Sequence, residues 1–305
     1  MSYMGKLFDA MAQTGQADIN IFSKTLNDAG IDKMALFSRH GERRVFHNYA
    51  EEIKNVLGDK IILGTSKRFN QFHHFSDYYI KEILEELQNS NTKFIGELMF
   101  SHADKYDGEV HLEQERYVDS SSHTVSKLMD SISKIKPVPV MFHWEVYHWE
   151  RDVMSISNML KKYSNITFLW PHCGFASPTQ IDYMLTNHPN LIAIISKREM
   201  IRNDDSWISH TGEDLGGFQI CNPSFREKVD CALIDNDGII KPEWNKLLIK
   251  HQDRFMWGTD AHKPIRWKSY EKIVNIWRDI FSQLDDDLVK KITYNNAMKV
   301  YKINE

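Results

Sequence analysis

Eight short β-rich runs alternate with helical patterns along this chain, and this alternation is the feature that most constrains its fold. The runs lie at residues 7–13, 33–39, 61–66, 94–99, 138–143, 167–172, 191–196 and 255–260. Runs such as residues 191–195 (Leu-Ile-Ala-Ile-Ile) are continuously apolar, which is typical of parallel strands buried on both faces. Between the runs, apolar residues recur at spacings of three and four, as on one face of a helix. The alternation predicts repeated strand–helix units and a parallel sheet.

Eight such units favour an α/β fold of the TIM type, a (β/α)8 barrel. An open, doubly wound sheet has the same local pattern, so periodicity alone does not separate the two architectures. No Gly-x-Gly-x-x-Gly follows any of the eight runs, so the nucleotide-binding form of the open sheet has no support. A chain of 305 residues fits one barrel, and we predict a single domain over residues 1–305.

Two connections are too long to be plain loops: residues 100–122 after strand four and residues 197–243 after strand seven. Both leave the end of the barrel where such folds place their active sites. The second contains Trp207, Phe218 and Ile220, which a disordered segment would seldom hold. We therefore expect long loops that cover the pocket, the second as an ordered lid.

Composition argues against several classes of binding partner and structural site. The formal net charge is −4 and no extended Lys/Arg stripe is present, so nothing indicates nucleic-acid binding. No stretch approaches the ~18 apolar residues of a membrane span. The three cysteines lack Cys-x-x-Cys spacing, so neither a disulfide framework nor a structural zinc site is indicated. We expect a cytoplasmic protein with a small-molecule ligand, and the sequence leaves a homo-oligomer open.

Four of the eight runs carry, at or near their carboxyl end, a residue that can bind a metal ion or move a proton: Glu97, His143, His172 and Asp260. In a barrel of parallel strands these ends converge on one face, so the four side chains are expected around one pocket. Two imidazoles and one carboxylate around an open position are a common zinc arrangement. A single strand-end histidine could instead hydrogen-bond the next loop, and Asp260 could be a helix N-cap.

The order and spacing of these residues resemble the amidohydrolase superfamily, in the branch that contains decarboxylases and lactonases as well as true hydrolases. The resemblance extends to residues 170–174 (Trp-Pro-His-Cys-Gly), 255–260 (Phe-Met-Trp-Gly-Thr-Asp) and 295–301 (Asn-Asn-Ala-Met-Lys-Val-Tyr). It implies that Glu97, His143 and His172 hold a metal ion and that Asp260 acts as the general acid/base.

The first strand departs from the family pattern Asp-Ala-His-x-His, because Met11 and Gln13 stand at the two histidine positions. A thioether and a neutral amide are poor zinc ligands, so the position built on them should be lost. One divalent ion is expected rather than two, zinc first and manganese as the alternative, with a metal-free form left open. Residues two apart on a strand share a face, so Met11 and Gln13 are both expected to face the substrate. Met11 could instead be a core methionine.

Arg39, Trp144 and Arg198 lie beside strand ends and complete the predicted substrate contacts. A guanidinium at a pocket mouth favours a carboxylate or phosphate, because its planar fork binds two oxygens. We therefore expect a small anionic substrate. A solvated charged loop is the competing interpretation of these arginines.

These expectations favour an enzyme that hydrolyses a C–O or C–N bond of a lactone, ester or amide. A non-oxidative decarboxylase of the same branch is the first alternative, since nothing in the predicted pocket separates the two reactions. A barrel that has lost catalysis and only binds a ligand is the second. Four of five expected positions keep ligand-type residues, which favours the enzyme.

Overall fold

The computed structural model describes residues 2–14, 19–40, 49–68, 77–89, 91–106, 109–203, 206–212, 215 and 231–304. Its strands are β1 (Phe8–Gln13), β2 (Lys33–Phe37), β3 (Arg39–His40), β4 (Ile61–Gly64), β5 (Lys67–Arg68), β6 (Thr92–Tyr106), β7 (Glu109–Tyr117), β8 (Val140–Trp144), β9 (Phe168–Trp170), β10 (Leu191–Ile195), β11 (Met200–Asn203), β12 (Ser206–Ser209) and β13 (Phe255–Trp257). Eight of them form a nearly closed parallel barrel in the order β1-β2-β4-β6-β8-β9-β10-β13. The eight predicted strands and the TIM-type barrel are confirmed.

Helices follow the barrel strands along the chain. They are α1 (Ile19–Asp28), α2 (Tyr49–Leu57), α3 (Asp77–Gln88), α4 (His123–Ile135), α5 (Trp149–Lys162), α6 (Pro178–Asn187), α7 (Pro242–Lys250), α8 (Pro264–Lys268), α9 (Tyr270–Phe281), α10 (Asp286–Lys290) and α11 (Asn296–Val300). Within the described residues, no helix combines the length and the apolar character needed to cross a membrane.

The first and last strands close the barrel through backbone contacts just beyond their ends. Ala12 forms a parallel bridge with Ala261, and the Gln13 amide donates to the Ala261 carbonyl at 2.8 Å. The Asp260 amide donates to the Met11 carbonyl at 2.8 Å. Gln13 and Asp260 therefore reach the same face of the barrel.

Strand side chains divide between two apolar layers, as expected for strands buried on both faces. The outer layer packs between strands and helices and includes Leu36, Leu63 and Phe142. The inner layer fills the barrel and includes Met11, Phe37, Phe94, Met141 and Met256. Side chains of the helical residues 294–301 pack against this inner layer, and the Tyr301 hydroxyl donates to the Ala10 carbonyl at 2.8 Å. Among the described residues, the barrel interior is therefore a packed core that is covered at one end by residues 294–301.

The two long connections differ from simple loops. After the barrel portion of β6 the strand continues to Tyr106 and pairs antiparallel with β7, so the predicted loop 100–122 is largely a hairpin. The segment after β10 begins with the β11–β12 hairpin. Most of residues 213–230 fall outside the described part of the chain, so the predicted lid stays a prediction. Cys231 is disulfide-bonded, which corrects the expectation drawn from the cysteine spacing.

Candidate active site

A cavity of about 240 Å³ lies at the carboxyl ends of the barrel strands. Its lining includes all four predicted strand-end residues, Glu97, His143, His172 and Asp260, together with Gln13 and Arg39. Glu97, His172 and Asp260 are each no more than 2 % exposed, and His143 is 7 % exposed. The structure therefore brings these six residues together at one buried position.

Glu97, His143 and His172 direct three ligand atoms at one another. His143 Nδ1 lies 2.6 Å from Glu97 Oε1 and 3.0 Å from His172 Nε2, and His172 Nε2 lies 3.9 Å from Glu97 Oε1. One ligand atom from each residue falls within 4.8 Å of the other two. A carboxylate and two imidazole nitrogens at this separation form a donor set suited to Zn²⁺.

The chain around Glu97 has little tolerance for change. Gly96 lies where a side chain would meet the Thr65 carbonyl oxygen, since an added Cβ would fall 2.1 Å from it. The Gly96 amide also donates a hydrogen bond to Thr65 Oγ1 at 2.9 Å, which holds the backbone in place. The close approach of β4 and β6 at this glycine fixes the backbone from which Glu97 projects.

The two histidines differ in charge. Burial acts to lower the pKa of His143, but Glu97 and Glu145 on either side of the ring outweigh it and raise that pKa. Burial and the neighbouring His143 hold the pKa of His172 well below its usual range. His172 is therefore neutral and presents a lone pair, whereas His143 shares a proton with the carboxylates. A cation entering this group would replace that proton.

A second group of potential ligands shares His143 but uses its other nitrogen. His143 Nε2 lies 2.9 Å from Glu145 Oε1 and 3.2 Å from His102 Nδ1. Glu145 is already satisfied, because its Oε1 lies 2.6 Å from Lys105 Nζ and its Oε2 accepts from the Ala103 amide at 3.0 Å. An ion there would lie against the Lys105 ammonium. The first group is therefore the better cation site, with Glu145 orienting the His143 ring.

Asp260 is held by three partners. Its Oδ2 lies 2.5 Å from Lys197 Nζ, its Oδ1 accepts from Gln13 Nε2 at 3.0 Å, and His262 Nδ1 lies 2.8 Å from its carbonyl oxygen. Burial alone would raise the pKa of Asp260, but the Lys197 ammonium holds it well below its usual range. Asp260 is therefore ionised. It is not a helix N-cap, because α8 begins at Pro264 with Lys263 as its cap.

Gln13 joins the two carboxylates of the cavity. Its amide nitrogen donates to Asp260 and lies 3.5 Å from Glu97 Oε2. Its Oε1 is buried and has no hydrogen-bond partner in the described structure. The side chain that was expected to face the substrate therefore offers an acceptor there, because its amide nitrogen is already engaged.

Backbone conformation marks the same residues. His172 (φ 85°), Lys197 (φ 54°) and Asp260 (φ 47°) are among the six non-glycine residues of the described chain with left-handed φ. This region is disfavoured for residues with a Cβ, and such strain persists where surrounding contacts enforce it, most often at functional sites. Each of the three residues follows the end of a barrel strand. The left-handed backbone turns its side chain into the cavity.

Three predicted substrate contacts lie elsewhere, and we correct them here. Met11 is fully buried in the inner apolar layer. Trp144 is buried and stacks between two other tryptophans, Trp149 and Trp170. Neither side chain lines the cavity.

Arg198 is the third correction. It is fully buried, and its guanidinium donates to the carbonyls of Cys231 at 2.7 Å, His172 at 3.2 Å and Ala176 at 3.3 Å. It acts on the site through the His172 backbone, not on a ligand. Arg39, by contrast, lines the cavity as predicted, beside Lys197 and Lys263.

The sequence-based list omitted Lys197, Glu145, Lys105 and His262, all of which line the cavity. Lys197 directly follows a predicted strand, and Glu145 and His262 each lie two residues beyond one, so these three have a sequence signal. Lys105 has none, because its contact with Glu145 joins the extension of β6 to the residue after β8.

Comparison with known families places this geometry in context. The family model described as amidohydrolase matches residues 137–303, more than half of the chain, and the match contains His143, His172 and Asp260. The chain belongs to the amidohydrolase family. The resemblance drawn from the sequence is thus confirmed. No curated protein matches this amidohydrolase at a significant level.

Solved structures share the fold at low sequence identity. A candidate 2-pyrone-4,6-dicarboxylic acid hydrolase from Pseudomonas putida is 12% identical, with a TM-score of 0.58 over 97% of each chain. A second such candidate, from Acinetobacter baumannii and crystallised with citric acid, is 12% identical, with a TM-score of 0.58 over 98% of this amidohydrolase and 100% of that protein. Dihydroorotase from Campylobacter jejuni is 12% identical, with a TM-score of 0.57 over 98% and 84% of the two chains.

Proposed function

We propose that this amidohydrolase is a hydrolase that uses one divalent ion to cleave a C–O or C–N bond of a small anionic substrate. The observation that carries the proposal is the convergence of Glu97 Oε1, His143 Nδ1 and His172 Nε2 within 4.8 Å in the cavity. These residues would hold the ion, zinc before manganese because two of the three donors are imidazoles. When bound, such an ion supplies Lewis acidity for the reacting carbonyl group.

The protein's own groups supply the proton transfer. Asp260 is ionised, so it can accept a proton from the attacking water and return it to the leaving oxygen or nitrogen. Lys197 keeps the Asp260 carboxylate in place, at 2.5 Å. The unpartnered Oε1 of Gln13 can accept a hydrogen bond from substrate. A lactone, ester or amide would be opened by this set, since the overall change is the addition of one water.

Cationic side chains favour an anionic substrate. Arg39 and Lys263 line the cavity on the Asp260 side, where burial and the neighbouring Lys197 lower the pKa of Lys263. Guanidinium and ammonium groups in a partly buried cavity bind carboxylates well. The citric acid in the Acinetobacter baumannii neighbour is in keeping with a carboxylate ligand.

The test combines metal analysis with a panel of carboxylated lactones, esters and amides. We expect about one zinc per chain for protein purified without chelator. His172→Ala should lose the ion and the activity, whereas Asp260→Asn should keep the ion and lose at least 10²-fold in kcat.

His251→Ala serves as the control. His251 is a mostly buried histidine paired with Asp182 at 2.6 Å, remote from the cavity lining. This variant should keep both ion and activity. Full zinc retention by His172→Ala would contradict the proposed ligand set, and release of CO₂ from a substrate would assign a decarboxylase instead.

A further inference from the structure

Two buried carboxylates divide the cavity into two anionic halves. Glu97 and Asp260 are each 2 % exposed, and the Gln13 amide nitrogen lies between them, at 3.5 Å and 3.0 Å. A carboxylate without water requires a nearby positive charge or several hydrogen bonds. The Glu97 half has two imidazole nitrogens beside the carboxylate, whereas the Asp260 half already holds a cationic side chain.

The occupant of the Asp260 half is the ammonium group of Lys197. Its Nζ lies 2.5 Å from Asp260 Oδ2, and its side chain is only 14% exposed. Lys197 comes two residues after β10 and has a left-handed φ of 54°, which a residue with a Cβ adopts only where its surroundings enforce it. The ammonium is therefore held in the cavity by the fold.

We propose that Lys197 is a built-in cation that fills the Asp260 half of the site and limits this protein to one divalent ion. The proposal extends the one-ion function proposed above and rests on it, because that function assigns the divalent ion to the Glu97 half of the cavity. A divalent ion bound to Asp260 would lie against the Lys197 charge at a buried position, where like charges repel more strongly than in water. Because the Lys197 ammonium is part of the chain, dialysis or a chelator cannot remove this positive charge.

The charge balance of the cavity accounts for Gln13 as well. Its amide nitrogen satisfies the second Asp260 oxygen, so both oxygens are engaged by protein donors. Removal of the Lys197 charge would leave the buried Asp260 carboxylate without its ammonium partner, with Glu97 Oε2 close to the same Gln13 amide nitrogen. Two buried carboxylates this close to each other favour a cation.

The experiment measures Zn²⁺ stoichiometry of the full chain by titration and by metal analysis after gel filtration. Lys197→Met, which keeps length but not charge, should bind one ion more than the wild type, that is two rather than one. Lys197→Arg keeps the charge and should match the wild type. Lys250→Met removes a lysine that pairs with Asp182 at 2.6 Å and does not line the cavity, and it should also match the wild type.

The outcomes separate this proposal from the proposed function. A wild type that binds no zinc would contradict the proposed one-ion hydrolase. A gain of one bound ion in Lys197→Met could still be measured and would support the role of Lys197. Equal stoichiometry in wild type and in folded Lys197→Met, or in Lys197→Gln if the methionine variant does not fold, would overturn the role of Lys197. Two tightly bound ions in the wild type would overturn it without any variant.

Discussion

His143 lies between two carboxylates, one at each ring nitrogen. Nδ1 is 2.6 Å from Glu97 Oε1, and Nε2 is 2.9 Å from Glu145 Oε1. A metal-binding histidine usually donates its second ring N–H to a carboxylate, which fixes the tautomer and the ring orientation. Glu145 is suited to this because Lys105 and the Ala103 amide hold both of its oxygens. In this account Glu145 is a positioning residue that keeps His143 Nδ1 free for the ion.

Glu145→Gln should therefore weaken zinc binding by about 10- to 100-fold, because the ring loses its charged acceptor. Competition with a fluorescent chelator measures the change. Glu115→Gln is the matched control, since Glu115 pairs with Arg151 at 2.7 Å and does not line the cavity. Equal zinc affinity in Glu145→Gln and the wild type would show that Glu145 does not orient the ligand.

Four site residues could be predicted from the sequence because each one lies at or just after the end of an apolar strand run, on the same face of the barrel. Glu97, His143, His172 and Asp260 all meet this condition. Lys197 meets it too, but its importance depends on a contact with Asp260 that no sequence pattern reveals. Met11 was misplaced because a strand pattern does not show how deep in the barrel a side chain lies, and Met11 packs in the inner apolar layer rather than in the cavity lining. Restoring histidine at Met11 would therefore place an imidazole in the apolar interior.

At the scale of elements, β1 and the end of β13 are joined by a buried carboxylate. Asp9 accepts from the Thr259 amide at 2.9 Å, the Thr259 hydroxyl at 2.6 Å and the Tyr270 hydroxyl at 2.7 Å. Because Thr259 precedes Asp260, this contact also supports the backbone of the site. The cost is burial, which raises the pKa of Asp9 to about 6.

This pKa predicts a pH-dependent stability. The pKa of Asp9 rises from 3.8 to about 6 on folding, so the folded state holds the proton more tightly. The resulting stabilisation is fully present below pH 3.8 and is lost as the pH rises through 6. From pH 4 to pH 7, the wild type should lose about 2–3 kcal/mol of unfolding free energy relative to Asp9→Asn.

Urea unfolding at both pH values measures this difference. Tyr270→Phe is the comparison variant, because it removes one hydrogen bond that lowers the Asp9 pKa and keeps the carboxyl group. Its pH dependence should be at least as large as that of the wild type. A free-energy difference between wild type and Asp9→Asn that does not change with pH would contradict the account.

The positions of the strands were predictable because strands buried on both faces consist of apolar runs. The ends of the strands were harder to predict. The fourth strand extends to Tyr106 rather than ending at Met99, because its pairing with β7 is set by a hairpin that alternation does not mark. The small β3 and β5 pair was not predicted, since two-residue strands carry no periodicity. Arg198 was misassigned for a related reason: its carbonyl partners, His172, Ala176 and Cys231, lie on two segments that are not adjacent to it in sequence.

At the scale of the whole molecule, the barrel has one packed end and one reactive end. The inner apolar layer and residues 294–301 fill the first, and the cavity with its paired charges occupies the second. We propose that residues 1–305 form one domain around this barrel. The division concentrates the buried ionisable groups where parallel strands end, which is where barrel enzymes place their chemistry.

The central claim is a single ion held by Glu97, His143 and His172, and anomalous scattering at the zinc edge from crystals grown with Zn²⁺ tests it most directly. The account predicts one strong peak bounded by Glu97 Oε1, His143 Nδ1 and His172 Nε2, with Lys197 still paired to Asp260. A peak instead between His102, His143 Nε2 and Glu145, or no peak in the cavity at saturating zinc, would contradict it.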